Sequence, residues 1–88
     1  MSLDLDGWRS KIDALNFKLV DLLNDRARCA LEIAELKKKL GLPVHDPKRE
    51  LEVLDKVSAH NGGPLTDEAL QGIFRCIMAE HRKLEEQG

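Results

Sequence analysis

One arginine interrupts an otherwise apolar helical stripe, and it constrains this chain more than any other feature. From Leu5 the sequence steps by threes and fours through Trp8, Ile12, Leu15, Leu19, Leu22, Arg26, Cys29, Ile33, Leu36 and Leu40. This is the spacing of one long helix with a heptad seam, and Arg26 is its only charged position. A guanidinium keeps its proton and is costly to desolvate. A helix face that carries one needs an anion to answer it, supplied either by another side chain or by a ligand.

The spacing predicts an all-α chain of three helices, one long and two shorter. The first runs from Asp4 or Asp6 to about Leu40, where Gly41 and then Pro43 stop it. At 1.5 Å per residue it would be ~50 Å long, more than a compact chain of this size can cover by itself. The second starts at Asp46-Pro47, with Asp46 as N-cap and Pro47 in the first turn, and continues through Leu51, Leu54 and Val57 to about His60. Asn61-Gly62-Gly63-Pro64 breaks it. Thr66 caps a third helix whose stripe of Leu70, Phe74, Ile77 and Leu84 is interrupted by one polar residue, His81.

The 88 residues make a single domain, 1–88, and a chain this short gains stability by burying surface against a partner. Aromatic residues are only 3% and Tyr is absent, which disfavours a β-sandwich. The net charge of −2 argues against nucleic-acid binding, which needs a basic surface. Cys29 and Cys76 lie on apolar stripes without metal-ligand spacing, so both are expected to be small core residues in a reducing cytoplasm, and no metal or other cofactor is expected. The N-terminal Met1-Ser2-Leu3-Asp4-Leu5-Asp6 has the character of no export leader, and no run approaches the ~20 apolar residues of a membrane span. A cytoplasmic location is therefore expected.

The charged residues that can point inward form a set. Arg26 and Lys37 share one row of the first helix with Ala30 and Ile33, while the neighbouring Lys38 and Lys39 belong to a solvated helix end. Arg49 and Glu50 each lie one turn before an apolar residue of the second helix, Val53 and Leu54. Glu85 follows Ile77 and His81 at four-residue steps on the third. Three cations held on helices make a receptor for a small polyanion, since Arg offers a two-point fork to a carboxylate and Lys a point charge. A dicarboxylate is the natural ligand. Arg9 lies seventeen residues before Arg26, ~25 Å along the helix, and cannot serve the same ligand in its own chain. Two antiparallel copies of the first helix crossing near residues 20 to 22 would bring the partner's Arg9 between Arg26 and Lys37, and would cover the apolar stripe as well.

The segments Trp8-Arg9-Ser10-Lys11-Ile12-Asp13-Ala14-Leu15, Leu22-Leu23-Asn24-Asp25-Arg26, Ile33-Ala34-Glu35-Leu36-Lys37 and Pro43-Val44-His45-Asp46-Pro47-Lys48-Arg49-Glu50 together resemble the all-helical chorismate mutases over nearly the whole chain. The resemblance implies an intertwined antiparallel homodimer of three-helix chains, each site drawing on both subunits. It implies that Arg26 and the partner's Arg9 bind the two carboxylates of chorismate, and that Lys37 bonds to a carboxylate and to the ether oxygen. Arg49 would support this set, and Asp46 and Glu50 would meet the ring hydroxyl. His81 and Glu85 align with positions where the family usually has Ser and Gln or Glu. Two roles are open to His81, donation to a carboxylate or simple space filling. The implied reaction is a Claisen rearrangement of chorismate to prephenate in aromatic amino-acid biosynthesis, with Arg26, Lys37 and Glu85 as the catalytic groups and no cofactor. An ionised Glu85 beside the ether oxygen would repel the charge that develops there, so Glu85 is expected to act protonated.

Two other readings compete. Related helical proteins cleave pyruvate from isochorismate in a similar cationic pocket. A non-catalytic dimerisation or regulatory module, docked on another enzyme of the aromatic pathway, would pair Arg26 with a carboxylate of the protein itself.

Overall fold

A computed structural model describes residues 4–87, and across them the chain forms three α-helices: α1, Leu5–Leu40; α2, Pro47–His60; and α3, Asp67–Gln87. Met1, Ser2 and Leu3, on which the expectation about an export leader partly rests, lie outside the described residues, as does Gly88. Local chemistry sets each boundary. Asp4 caps α1 by accepting from the Gly7 amide at 2.7 Å. At the other end Gly41 takes a left-handed φ of 69°, its amide donating to the Lys38 carbonyl while that of Leu42 donates to Lys37. This pair of bonds is a Schellman cap, and the positive φ is the reason for glycine there. Asp46 caps α2 through the Arg49 amide at 3.1 Å, with Pro47 in the first turn. Thr66 Oγ1 caps α3 through the Ala69 amide at 3.1 Å.

The loop after α2 is organised by Asn61. Its carboxamide donates to the Leu65 carbonyl and to Asp67 Oδ1, both at 2.8 Å, and accepts from the Gly63 amide. That turn folds α3 back antiparallel along α2, where Gln71 donates to Ser58 at one end and Arg82 approaches Glu50 at the other. α3 also packs on the C-terminal half of α1, whereas α1 and α2 make no close backbone approach. The interior is small: Ala30 and Ala34 of α1, Leu54 of α2, and Met78 and His81 of α3. Alanine at the α1 contact lets a neighbouring helix come near, which is what close helix packing requires.

α1 therefore has two different apolar faces. The Ala30–Ala34 face meets α3. The heptad stripe beside it stays open, with Leu5, Ile12, Leu19, Leu22, Leu36 and Leu40 all more than half exposed. Its N-terminal half extends beyond the other helices, so the chain measures 58 × 24 × 15 Å and has a radius of gyration of 16.4 Å. A compact chain of this length would have ~12 Å. The expectation that Cys29 and Cys76 are core residues is not met within the single chain, where both are exposed free thiols. Cys29 belongs to the exposed stripe of α1, and Cys76 is exposed on α3. None of the described helices is long and apolar enough to cross a membrane.

Candidate active site

Where the two faces of α1 meet, a cleft of about 270 Å³ opens between α1, the 41–46 loop, α2 and α3. Arg26, Lys37, Asp46, Arg49, Glu50, His81 and Glu85 all line it. The floor is apolar, formed by Ala30, Ile33, Val53 and Met78. Arg9 does not line it, in keeping with the length of helix between Arg9 and Arg26.

Arg26 Nη1 donates to His81 Nδ1 at 2.7 Å. Lys37 Nζ donates to the Val44 carbonyl at 3.0 Å, which ties the loop to the last turn of α1. Lys38 and Lys39 beside it are exposed, as a solvated helix end should be. Among the described residues neither Arg26 nor Lys37 forms an ion pair with a carboxylate. Both cations keep donors free toward the cleft, and among the described residues of this chain no carboxylate pairs with Arg26. This goes against the regulatory-module reading, which requires a protein carboxylate at Arg26.

Glu85 faces these cations. Burial raises its pKa above the usual carboxylate value, Lys37 and Arg26 pull it down, Glu50 pushes it up, and Arg82 pulls it down. Burial is the largest of these influences, so the carboxyl is shifted toward its protonated form despite three nearby cations. His81 is shifted the other way. Its pKa is lowered by burial and by the Arg26 charge, while the Leu23 backbone pulls weakly upward. Both shifts thus run toward the neutral form.

Two charged or titratable residues of the cleft, Arg82 and His45, carried no role in the sequence reading. Arg82 Nη1 donates to His45 Nε2 at 3.0 Å, and Glu50 stands 3.7 Å from His45 and 3.9 Å from Arg82. This cluster joins the loop, α2 and α3 across one wall. Arg82 follows the buried Met78 by one turn, and His45 precedes the capping Asp46, so helical spacing and the cap were the signals available for them. Arg49 and Asp46 are partly engaged elsewhere. Arg49 Nη1 lies 3.6 Å from Glu52, and Asp46 Oδ1 accepts the capping bond.

The fold and the cleft thus define a class: a three-helix chain that gathers Arg26, Lys37 and a carboxyl of raised pKa in one cleft, with an exposed apolar seam on its long helix. Comparison with known proteins names the family. The model described as chorismate mutase type II matches residues 8–86, and the chain belongs to that family. A chorismate mutase structure (form II) from Thermus thermophilus superposes with a TM-score of 0.91 at 39% identity, over 93% of each chain. A chorismate mutase from Helicobacter pylori in complex with prephenate gives a TM-score of 0.86 at 37% identity, over 94% of this chain and 90% of that one. A bifunctional chorismate mutase/prephenate dehydratase of Aquifex aeolicus is 38% identical over 88 residues, 96% of this chain. The chain spans only 24% of that relative's length.

Proposed function

We propose that this chain catalyses the rearrangement of chorismate to prephenate, acting as one domain within a homodimer. The observation that carries the proposal is the pair Arg26 and Lys37, which line the cleft with no carboxylate partner and face Glu85. In the reaction the ether C–O bond breaks as a C–C bond forms within one molecule, so no proton, electron pair or leaving group passes to the protein. Catalysis then depends on holding the enolpyruvyl arm over the ring and on stabilising negative charge at the ether oxygen.

In this reading Arg26 takes one carboxylate and the partner's Arg9 the other. Lys37 bonds to a carboxylate and the ether oxygen, and the protonated Glu85 carboxyl donates to the same oxygen. Glu50 and Asp46 meet the ring hydroxyl, with Arg49 adding positive potential at the rim. The open heptad stripe of α1 supports the dimer, because an antiparallel copy would cover it and deliver Arg9 at once. Free thiols at Cys29 and Cys76 suit a reducing cytoplasm.

The test separates the mutase from the lyase on the same fold. Purified protein is incubated with chorismate and with isochorismate, and products are followed by proton NMR. Prephenate from chorismate, with isochorismate turned over far more slowly, is the expected result. Pyruvate from isochorismate as the dominant product would overturn it.

A further inference from the structure

We infer that His81 is a positioning residue for Arg26: its unprotonated Nδ1 accepts a hydrogen bond that fixes the guanidinium facing the cleft. The inference rests on the functional reading above for its kinetic consequence, and on geometry for the contact itself.

A guanidinium has only donors. At 2.7 Å from Arg26 Nη1, His81 Nδ1 must therefore be the acceptor, which places the proton of the neutral ring on Nε2. A buried, neutral ring behind Arg26 occupies one of its donors and leaves the others for a ligand carboxylate. The role differs from both roles open to this residue in the sequence, since the ring nitrogen that meets the site accepts and does not donate to substrate. It is also more than space filling, because an apolar side chain of the same volume would leave Nη1 without a partner and the fork free to rotate.

The surroundings disfavour a proton on the ring. Sharing the cleft with it are Arg26 and Lys37 of α1, His45 and Asp46 of the loop, Arg49 and Glu50 of α2, and Arg82 and Glu85 of α3. Burial and the Arg26 charge both oppose protonation. A proton on Nδ1 would replace the hydrogen bond with two donors in contact and push Arg26 out of register. His81 thus sets an acid limit to activity, whereas Glu85 sets an alkaline one because its protonated form is the working one.

Three forms of the full-length protein test this: wild type, His81→Leu and His81→Asn, whose Oδ1 can stand where Nδ1 stands. Loss of the acceptor in His81→Leu is expected to lower kcat/KM roughly 10- to 100-fold, the usual effect of a displaced binding group. His81→Asn is expected to restore most of that loss. It should also abolish the acid limb of the pH profile, so that its rate keeps rising toward low pH while the wild type falls. A purely structural role would give equal losses in both variants and an unchanged acid limb, and would overturn the inference. Ring nitrogen NMR shifts of the unliganded wild type decide the contact independently of any activity. An Nε2–H tautomer with an acceptor Nδ1 is expected, and a proton on Nδ1 at neutral pH would refute the proposal. A wild type that leaves chorismate unchanged would fail the functional reading, with the NMR result still deciding the His81–Arg26 contact.

Discussion

Arg9 and Arg26 lie on the same helix yet cannot meet the same ligand within one chain, and this makes a complementation experiment quantitative. With ~25 Å of α1 between them, no rotamer of Arg9 brings its guanidinium to the cleft of its own subunit. If the partner supplies it, Arg9→Ala and Arg26→Ala homodimers should each fall to about 1% of wild-type activity or less, the scale of losing one preorganised charge stabiliser. When the two variants are unfolded in urea and refolded together, about half of the symmetric dimers should be mixed. Each mixed dimer has one cleft with Arg26 from one chain and Arg9 from the other, and one cleft lacking both. Activity should therefore recover to about one quarter of wild type. Chorismate consumption measures the rate, and native mass spectrometry counts the mixed dimers. Mixed dimers with no recovery, or Arg9→Ala homodimers with full activity, would refute the shared site.

The remaining predictions concern the seam, the carboxyl and the core. Leu15, half exposed on the open stripe, should tolerate Glu in an isolated chain but not in the dimer. Each copy loses about 1 kcal/mol of apolar burial, and burying a carboxylate costs several more, so light scattering should show a monomer at micromolar concentration with activity lost alongside. The folded Glu85 carboxyl titrates above its ordinary value, so its protonated form is present at acid pH and disappears as the pH rises through the raised value. Glu85→Gln should accordingly remove the alkaline fall in kcat and exceed wild type at pH 8. An unaltered profile would count against the protonated role. The buried Leu54 anchors the α2–α3 contact, and Leu54→Ala should cost ~2–4 kcal/mol in a urea melt.

The elements of this fold could be read residue by residue because their ends carry local chemistry. Gly41 with Pro43, Asp46 with Pro47, and Thr66 act through their own neighbours, and the observed helices start and stop at them. The seven cleft residues proposed within one chain also converge, since helical spacing alone places Arg26 with Lys37 and Glu85 with His81. What spacing could not provide was direction between helices. Spacing placed Cys29 among the core residues, yet α3 packs on the adjacent Ala30–Ala34 face, where small side chains permit close approach. The use of His81 as an acceptor depends on a 2.7 Å contact between residues 55 apart in sequence, which no local pattern encodes. The Arg82–His45 bond likewise spans two elements whose approach only the folded chain defines.

In the proposed reaction Arg26 takes a substrate carboxylate, and the most direct measurement of that role is the loss of chorismate absorbance with purified wild type and with Arg26→Ala. Wild type should consume chorismate and yield prephenate without any added metal or cofactor, while Arg26→Ala, still helical by circular dichroism, should be slower by about 100-fold or more. An Arg26→Ala protein that turns over chorismate at the wild-type rate would contradict the role assigned to this residue and, with it, the site built around it.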